Sequence, residues 1–422
     1  MSAGILSRQA ALLALSTVLE RRKPLELERL ADLDLRDAAF ARALASQALR
    51  HFGALEAVIR HFVPKPLPPH KAGPAMEILL LGAAELLILK GAAHAAVDAA
   101  NRLAAADRKA VHFKPLINAV LRRLAREGEA VCATLDAPRL DTPDWLWTRW
   151  TAQYGEQTTR AIATAHRSEA PLDITLKSPD ARAPEGVALT GLTRRIMQPG
   201  RIEDLAGFAE GGWWVQDVAS ALPARLLGDV KGRRVIDLCA APGGKTLQLA
   251  AAGADVIAVD ADAARLARVR ANLARTGLSA TLIAADARDV RETAPFVLID
   301  APCTATGTIR RHPDLPWIKE AGDVAARAAL AYDILEHGAA LVEPGGLLVF
   351  AVCSLEREEG EEQIAAFLSG HREFTRAPVT ADELWGHAEW ISPQGDLRTL
   401  PCHLAEQGGM DGFYAARLRR LP

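Results

Sequence analysis

Between residues 5 and 129 the apolar positions recur at helical spacing: Leu12, Leu15 and Leu19, then Phe40, Leu44, Ala48 and Phe52, and later Ile117, Val120, Leu121 and Leu124. In so Ala- and Leu-rich a stretch, that period predicts a bundle of amphipathic helices. From residue 233 the pattern changes to short apolar runs alternating with helical stretches. Arg234 to Leu238, Asp255 to Val259, Thr281 to Ala284, Phe296 to Ile299 and Leu347 to Val352 read as strands, with helices beginning near Thr246, Asp262 and Gly322. Strand, helix, strand in repeated succession predicts an α/β fold with a parallel, doubly wound sheet, which binds ligands beyond the carboxyl ends of its strands.

Two breaks interrupt the pattern. Pro64-Lys65-Pro66-Leu67-Pro68-Pro69 cannot continue a helix and predicts an ordered turn. Ala137-Pro138-Arg139-Leu140-Asp141-Thr142-Pro143 reads as a linker. Trp145, Trp147 and Trp150 follow it at a helix start, where packing is a commoner use of tryptophan than stacking on bases. A mixed segment from about 170 to 210 contains a short strand at Ile174 to Leu176. The expected organisation is a helical domain over 1–135, a linker with a small α+β segment over 136–210, and the sheet domain over 211–422.

Composition narrows the class. With 50% hydrophobic residues, 24% charged residues and a net charge of −2, disorder as the main state is excluded. Cys132, Cys239, Cys303, Cys353 and Cys402 are odd in number and widely spaced, so reduced thiols in a cytoplasmic protein are expected, with no disulfide framework and no metal site. Ala10 to Leu19 superficially resembles a signal-peptide core, but it leads into Glu20-Arg21-Arg22-Lys23 without a convincing cleavage site and reads as an amphipathic helix. Ile78 to Leu89 is interrupted by Glu85, so no membrane span is expected. Charge is uneven: residues 1–130 hold 19 Lys or Arg against 13 Asp or Glu, and the remainder 31 against 39. The basic front third suits either a polyanion partner or an ordinary solvated surface. No long heptad or apolar strand edge is evident, and a monomer is expected.

The sharpest local signal is Val235-Ile236-Asp237-Leu238-Cys239-Ala240-Ala241-Pro242-Gly243-Gly244-Lys245-Thr246. An apolar strand ends in small residues and two glycines before a helix, which lets backbone approach a nucleotide-like ligand. A P-loop would need glycine where Cys239 stands. An S-adenosylmethionine site instead requires an acid at the end of the next strand for the ribose hydroxyls, and Asp260 occupies that place. Asp286, at the end of the third strand, is placed to meet the adenine amino group. Either Asp alone is more often a cap or turn residue, but their joint placement favours the methyl-donor reading. Cys303 and Cys353 each end an apolar strand on the same edge, where a thiol can be activated. Two thiols beside a methyl donor suggest covalent catalysis: a thiolate adding to carbon 6 of cytosine makes carbon 5 nucleophilic.

These segments, with Asp300-Ala301-Pro302-Cys303 through His312-Pro313-Asp314, Cys353-Ser354 and Gly409-Met410-Asp411-Gly412-Phe413-Tyr414, resemble the RNA cytosine-C5 methyltransferases, in particular the bacterial 16S ribosomal RNA group of the RsmB, Sun or Fmu type. Residues 5–129, including Asn118-Ala119-Val120-Leu121-Arg122-Arg123, resemble the all-helical RNA-binding fold of the antitermination factor NusB. The resemblance implies a Rossmann-like methyltransferase domain using S-adenosylmethionine, preceded by an RNA-binding helical domain. It implies that Cys353 is the nucleophile and Cys303 the second cysteine that assists turnover and product release. It places Cys239 to Lys245 around the donor's methionine and ribose, Asp260 on the ribose, Asp286 on the adenine, and Asp300 between donor and target cytosine, with Lys245 also facing the target. Arg310, Arg311 and the basic front domain are expected on the phosphate backbone.

Val352 stands where the family commonly has Thr, Gly360 where Asn often follows the paired acids Glu358-Glu359, and Leu172 to Lys177 lack the usual Arg and Asn. These departures bear on RNA contacts and target choice more than on the chemistry. The same reaction on transfer RNA, a noncatalytic assembly factor and a P-loop nucleotidase are the competing readings.

Overall fold

The computed structural model describes residues 3–25, 33–63, 65, 67–197 and 200–422. Pro64 and Pro66 of the expected proline turn lie outside the described residues, and Pro69 opens a short helix, Pro69–Ala72. The chain divides into two units, one of residues 1–168 with 309–320, the other of 169–308 with 321–422. Among the described residues no helix is long and apolar enough to cross a membrane.

The first unit is all-helical: Ala3–Arg21, Leu35–Arg50, Phe52–Phe62, Ala75–Ala83, Ala93–Ala106, Lys114–Cys132 and Asp144–His166, with shorter turns between them. Local chemistry sets their starts, since the Asp34 carboxylate accepts from the Asp37 amide at 2.8 Å and Pro115 occupies the first turn of its helix. Leu15, Leu44, Ala48, Ile117, Val120, Leu121 and Leu124 are buried as their spacing requires, whereas Leu12, Leu19, Phe40 and Phe52 pack only partly buried at the margin. Glu85, which interrupts the most apolar run, is buried and tolerated because Arg8 Nε donates to its Oε2 at 2.8 Å.

The stretch 137–143 is packed instead of free. It forms a short helix, Ala137–Leu140, and the buried Asp141 accepts from the Ala54 amide and from Arg167 Nε, both at 2.8 Å. The nearby tryptophans serve packing: Trp150 is fully buried, and Trp147 lies under the guanidinium groups of Arg139 and Arg160. Beside Trp150, His166 is buried with no hydrogen-bond partner for Nε2, and burial together with the Arg310 and Arg50 charges pushes its pKa down to about 3. A folded pKa below the unfolded value of about 6.5 means that His166 must discharge to fold below that pH. The linked stability is intact above about pH 6.5 and is lost as pH falls toward 3, by up to roughly 5 kcal/mol. His166→Phe should flatten this acid limb in urea melts taken between pH 4 and 7; an unchanged limb would exclude His166 as its source.

The second unit contains two sheets. The smaller, in the order β2-β3-β1-β4, comprises β1 (Leu172–Leu176), β2 (Val187–Ala188), β3 (Thr193–Ile196) and β4 (Trp213–Val215). Beneath it Asp173 and Arg195, both fully buried, form a two-pronged ion pair at 2.7 and 2.8 Å. Asp173 Oδ2 also accepts from the Val218 amide at 3.2 Å, which ties this sheet to helix Val218–Arg225.

The larger sheet comprises β5 (Arg234–Leu238), β6 (Asp255–Asp260), β7 (Thr281–Ala284), β8 (Ala294–Asp300), β9 (Val342–Val352), β10 (Phe374–Arg376), β11 (Leu397–Thr399) and β12 (Phe413–Arg420). Its order is β10-β12-β9-β8-β5-β6-β7, with β11 paired to β12. Strands β5 to β9 run parallel and β12 runs antiparallel to β9. Both faces are buried, which explains the near-continuous apolar runs. Ile236, Leu238, Val297, Ile299, Leu348 and Phe350 pack on one side with Ile334 and Leu335; Val235, Val256, Leu298, Val349 and Ala351 pack on the other with Val218 and Leu222. Because β6 and β8 flank β5 on opposite sides, the order reverses between β5 and β8, and it is beyond the carboxyl ends of the strands at such a reversal that sheets of this kind have their ligand crevice.

Candidate active site

Sheet register brings the candidate residues to one edge. Leu238 is level with Val259 and Ile299, Asp260 with Ala284, and Asp300 with Ala351, so the residues just beyond these strands share that edge. Cys239, Asp260, Asp286, Asp300, Cys303 and Cys353 all lie there or a short loop further on.

After β5 the backbone turns sharply. Cys239 has φ 62° and Gly243 φ 101°, both left-handed, before helix Gly244–Ala251 begins. At Gly243 a side chain is excluded twice over, by that φ and by Val269, whose Cγ1 would lie 2.9 Å from a Cβ. The loop is held from beneath: the Ala241 amide donates to Asp260 Oδ2 and the Asp262 amide to Asp260 Oδ1, both at 3.0 Å. Asp260 is buried, and each carboxylate oxygen accepts one of these amides, with Arg265 Nη1 a further 3.6 Å from Oδ2. Thr246 Oγ1 donates to Asp237 Oδ2 at 2.6 Å, while Asp237 Oδ1 is buried without a partner, and burial pushes this carboxyl up to about 7. Burial and the Asp300, Asp260 and Asp237 charges push the Cys239 thiol up to about 12, so it stays protonated. Asp286 is half-exposed and occupied by Arg288, whose Nη2 donates to it at 2.7 Å; that pairing holds it down at about 2.

Across the crevice Lys245 Nζ, on the helix after β5, donates to Asp300 Oδ2 at the end of β8 at 2.8 Å. The ammonium also lies 5.0 Å from the centre of the Phe413 ring. Beyond Asp300 the two thiols meet, Cys303 Sγ and Cys353 Sγ lying 3.5 Å apart. The contact with Cys353 and partial burial push the Cys303 thiol well above its ordinary range, so Cys303 is held protonated. The closing motif seals the loop: Gly412 N donates to Gly307 O at 2.8 Å, so close that a Cβ on Gly307 would lie 2.0 Å from Gly412 O. Sequence reasoning did not single out Thr304, Ser354 or Glu359, which join the two thiol loops from behind. Their signal was the paired acid placed a few residues after Cys353-Ser354.

Arg310 requires a correction. Expected on the phosphate backbone, it is buried in the first unit, where its carbonyl accepts from Arg50 Nη1 at 3.0 Å. The chain passes from the second unit to the first at Thr308 and returns after Glu320, so packing within the helical unit claims this side chain. Arg311 is half-buried.

A doubly wound sheet with this crevice, an acid at the end of the second strand and two thiols beyond the fourth and fifth defines a Rossmann-like methyltransferase. The family model described as 16S rRNA methyltransferase RsmB/F matches residues 224–419, and that of the NusB family matches residues 6–126. The chain is 37% identical to the ribosomal RNA small subunit methyltransferase B of Pseudomonas syringae pv. tomato, covering 98% of this chain and 97% of that one. It is also 37% identical to the protein of that name from Thermus thermophilus, over 92% and 89% of the two chains. The solved structure of PH0851 superposes with a TM-score of 0.75 at 23% identity, covering 99% of this chain and 98% of that one, and shares the fold. The chain belongs to the ribosomal RNA small subunit methyltransferase B family.

Proposed function

We propose that this protein transfers the methyl group of S-adenosylmethionine to carbon 5 of a cytosine in 16S ribosomal RNA, through a covalent bond between Cys353 and the base. The observation that carries this reading is the pair of sulfurs 3.5 Å apart beside the Lys245–Asp300 pair. Carbon 5 of cytosine is too poor a nucleophile to attack without help, and a thiol on the neighbouring carbon supplies that help.

The crevice fits the donor. The small residues Cys239, Ala240, Ala241, Pro242, Gly243 and Gly244 leave backbone exposed to it, Asp260 retains acceptor capacity for ribose hydroxyls, and Asp286 stands at the adenine end. Bound there, S-adenosylmethionine supplies an electrophilic methyl group. Cys353 adds as thiolate to carbon 6 of a flipped-out cytosine, and the electron pair moves to carbon 5. Asp300, oriented by Lys245, hydrogen-bonds the ring as charge builds on it. Once carbon 5 has taken the methyl group, which leaves S-adenosylhomocysteine, it gives its proton to water; the pair from that C–H bond re-forms the carbon 5–carbon 6 double bond and the Cys353 sulfur leaves carbon 6 with its bonding pair. Cys303, held protonated against that sulfur, assists its departure. The basic front third, with Arg108, Lys109, Arg122 and Arg126 exposed, supplies phosphate contacts.

The test is methylation with labelled donor of unmodified small-subunit ribosomal RNA and transfer RNA, both carrying tritium on carbon 5 of cytosine. Tritium release matching methyl incorporation in ribosomal RNA is expected. Label confined to transfer RNA would overturn the substrate, methylation without tritium release would overturn the position, and donor binding with no label would favour an assembly factor.

A further inference from the structure

The two thiols sit on separate loops, and a contact between two free thiols is too weak to hold loops together. One buried carboxyl reaches both loops. Glu359, fully buried at the end of the turn Arg357–Glu359, accepts from the Thr304 amide through Oε1 at 2.7 Å and from Thr304 Oγ1 through Oε2 at 2.6 Å. The Ser354 hydroxyl lies 3.5 Å from Thr304 Oγ1 and 3.3 Å from Thr306 Oγ1, and Glu359 itself stands six residues after Cys353, so its carboxylate ties the loop of Cys353 to the loop of Cys303. Thr304 directly follows Cys303, and Ser354 directly follows Cys353. Two lighter links run alongside, Gly307 N to Cys353 O and Leu355 N to Thr306 Oγ1, both at 3.0 Å. On the far side Arg398 Nη1 donates to Ser354 O at 2.6 Å, and Arg398 is itself held by Glu361 through bonds of 3.0 and 2.6 Å.

We propose that Glu359 is a positioning residue for the reaction: by reaching from the loop of Cys353 to bind Thr304, the successor of Cys303, it sets the sulfur-to-sulfur distance that Cys303 needs to release the product from Cys353. This rests on the covalent reading above. A carboxylate suits the task because its two acceptor oxygens take the amide and the hydroxyl of Thr304 at once. Glutamine has one acceptor oxygen and no charge, so it can keep the Thr304 amide only by turning its nitrogen on Thr304 Oγ1, whose hydroxyl must then accept and point its own proton elsewhere. Burial raises the pKa of this carboxyl, a cost offset by the hydroxyl and amide donors around it.

The role separates turnover from chemistry, so its test is a comparison of rates together with the yield of denaturant-stable RNA adduct. In Glu359→Gln the multiple-turnover rate should fall about tenfold more than the single-turnover rate, with adduct accumulating as in Cys303→Ala. Adding Glu359→Gln to Cys303→Ala should raise the adduct no further, because both changes act at the same step. Thr304→Val breaks one bond of the same clamp from the other side and should show the same split more weakly, which keeps the test open if Glu359→Gln fails to fold. Adduct in Cys303→Ala without it in either clamp variant, or equal falls in both rates, would overturn the positioning role while leaving the covalent mechanism standing. No adduct in Cys303→Ala would overturn the turnover assignment of Cys303, and this proposal with it.

Discussion

Replacing Cys353 with Ala should abolish methylation of ribosomal RNA, by roughly 10^4-fold or more, while donor affinity and thermal midpoint stay near those of the unaltered protein. The size follows from the chemistry: without addition at carbon 6, carbon 5 of the cytosine gains no electron pair with which to attack, and no neighbouring group substitutes. Stability should hardly move, because Cys353 is only half-buried and its backbone carbonyl, not its thiol, bonds Gly307. Cys303→Ala should differ in kind. It leaves the proposed nucleophile in place but removes the protonated sulfur 3.5 Å from it, so on the covalent reading the protein should complete about one methyl transfer and then remain linked to RNA. A gel under denaturing conditions with labelled RNA reads both outcomes. If instead Cys353→Ala trapped RNA and Cys303→Ala lost all activity, the roles of the two thiols would be exchanged.

Much of this site was legible in the chain because parallel strands put chemistry where the sequence can be read. Each of β5, β6, β8 and β9 is a short apolar run, and the first polar or small residues after it fall on the ligand edge. Cys239, Asp260, Asp300, Cys303 and Cys353 could therefore be placed before any coordinates. What escaped was set by contacts distant in sequence. Strand β12 has only four apolar residues, Phe413 to Ala416, before Arg417, Arg419 and Arg420, too short and too charged a pattern to announce a central strand, yet Phe413 to Ala416 and Leu418 are buried, with β9 on one side of the strand and β10 and β11 on the other. Arg310 looked like an RNA contact because an Arg-Arg-His run is ordinarily exposed; no local pattern reveals that residues 309–320 fold into the helical unit. The clamp at Glu359 joins residues 55 positions apart, and only the paired acids after Cys353-Ser354 hinted at it.

The other large effect is expected at Asp260, where one side chain serves both the loop and the proposed ligand. Asp260→Ala strands the Ala241 and Asp262 amides, each of which now donates to a buried carboxylate oxygen at 3.0 Å. An orphaned buried amide costs about 1–3 kcal/mol; Ala241 is buried, whereas Asp262 is exposed and its amide can turn to water, so a loss of roughly 1–3 kcal/mol of stability is expected. The turn from Cys239 to Gly243, with its two left-handed residues, would lose its anchor as well. Affinity for S-adenosylmethionine should fall by about 100-fold or more, since the proposed charge-assisted bonds to two ribose hydroxyls would go at once. Asp260→Asn should be intermediate in stability, because its amide nitrogen must face one of the two backbone donors. Asp286→Ala is the internal comparison: that carboxylate is half-exposed and already bound by Arg288, so its removal should cost about tenfold in affinity and little stability. Calorimetric titration with the donor, alongside thermal melts, separates the two contributions. Equal losses of affinity at Asp260 and Asp286 with no difference in melting would show that Asp260 does not anchor the loop and that the ribose is held elsewhere.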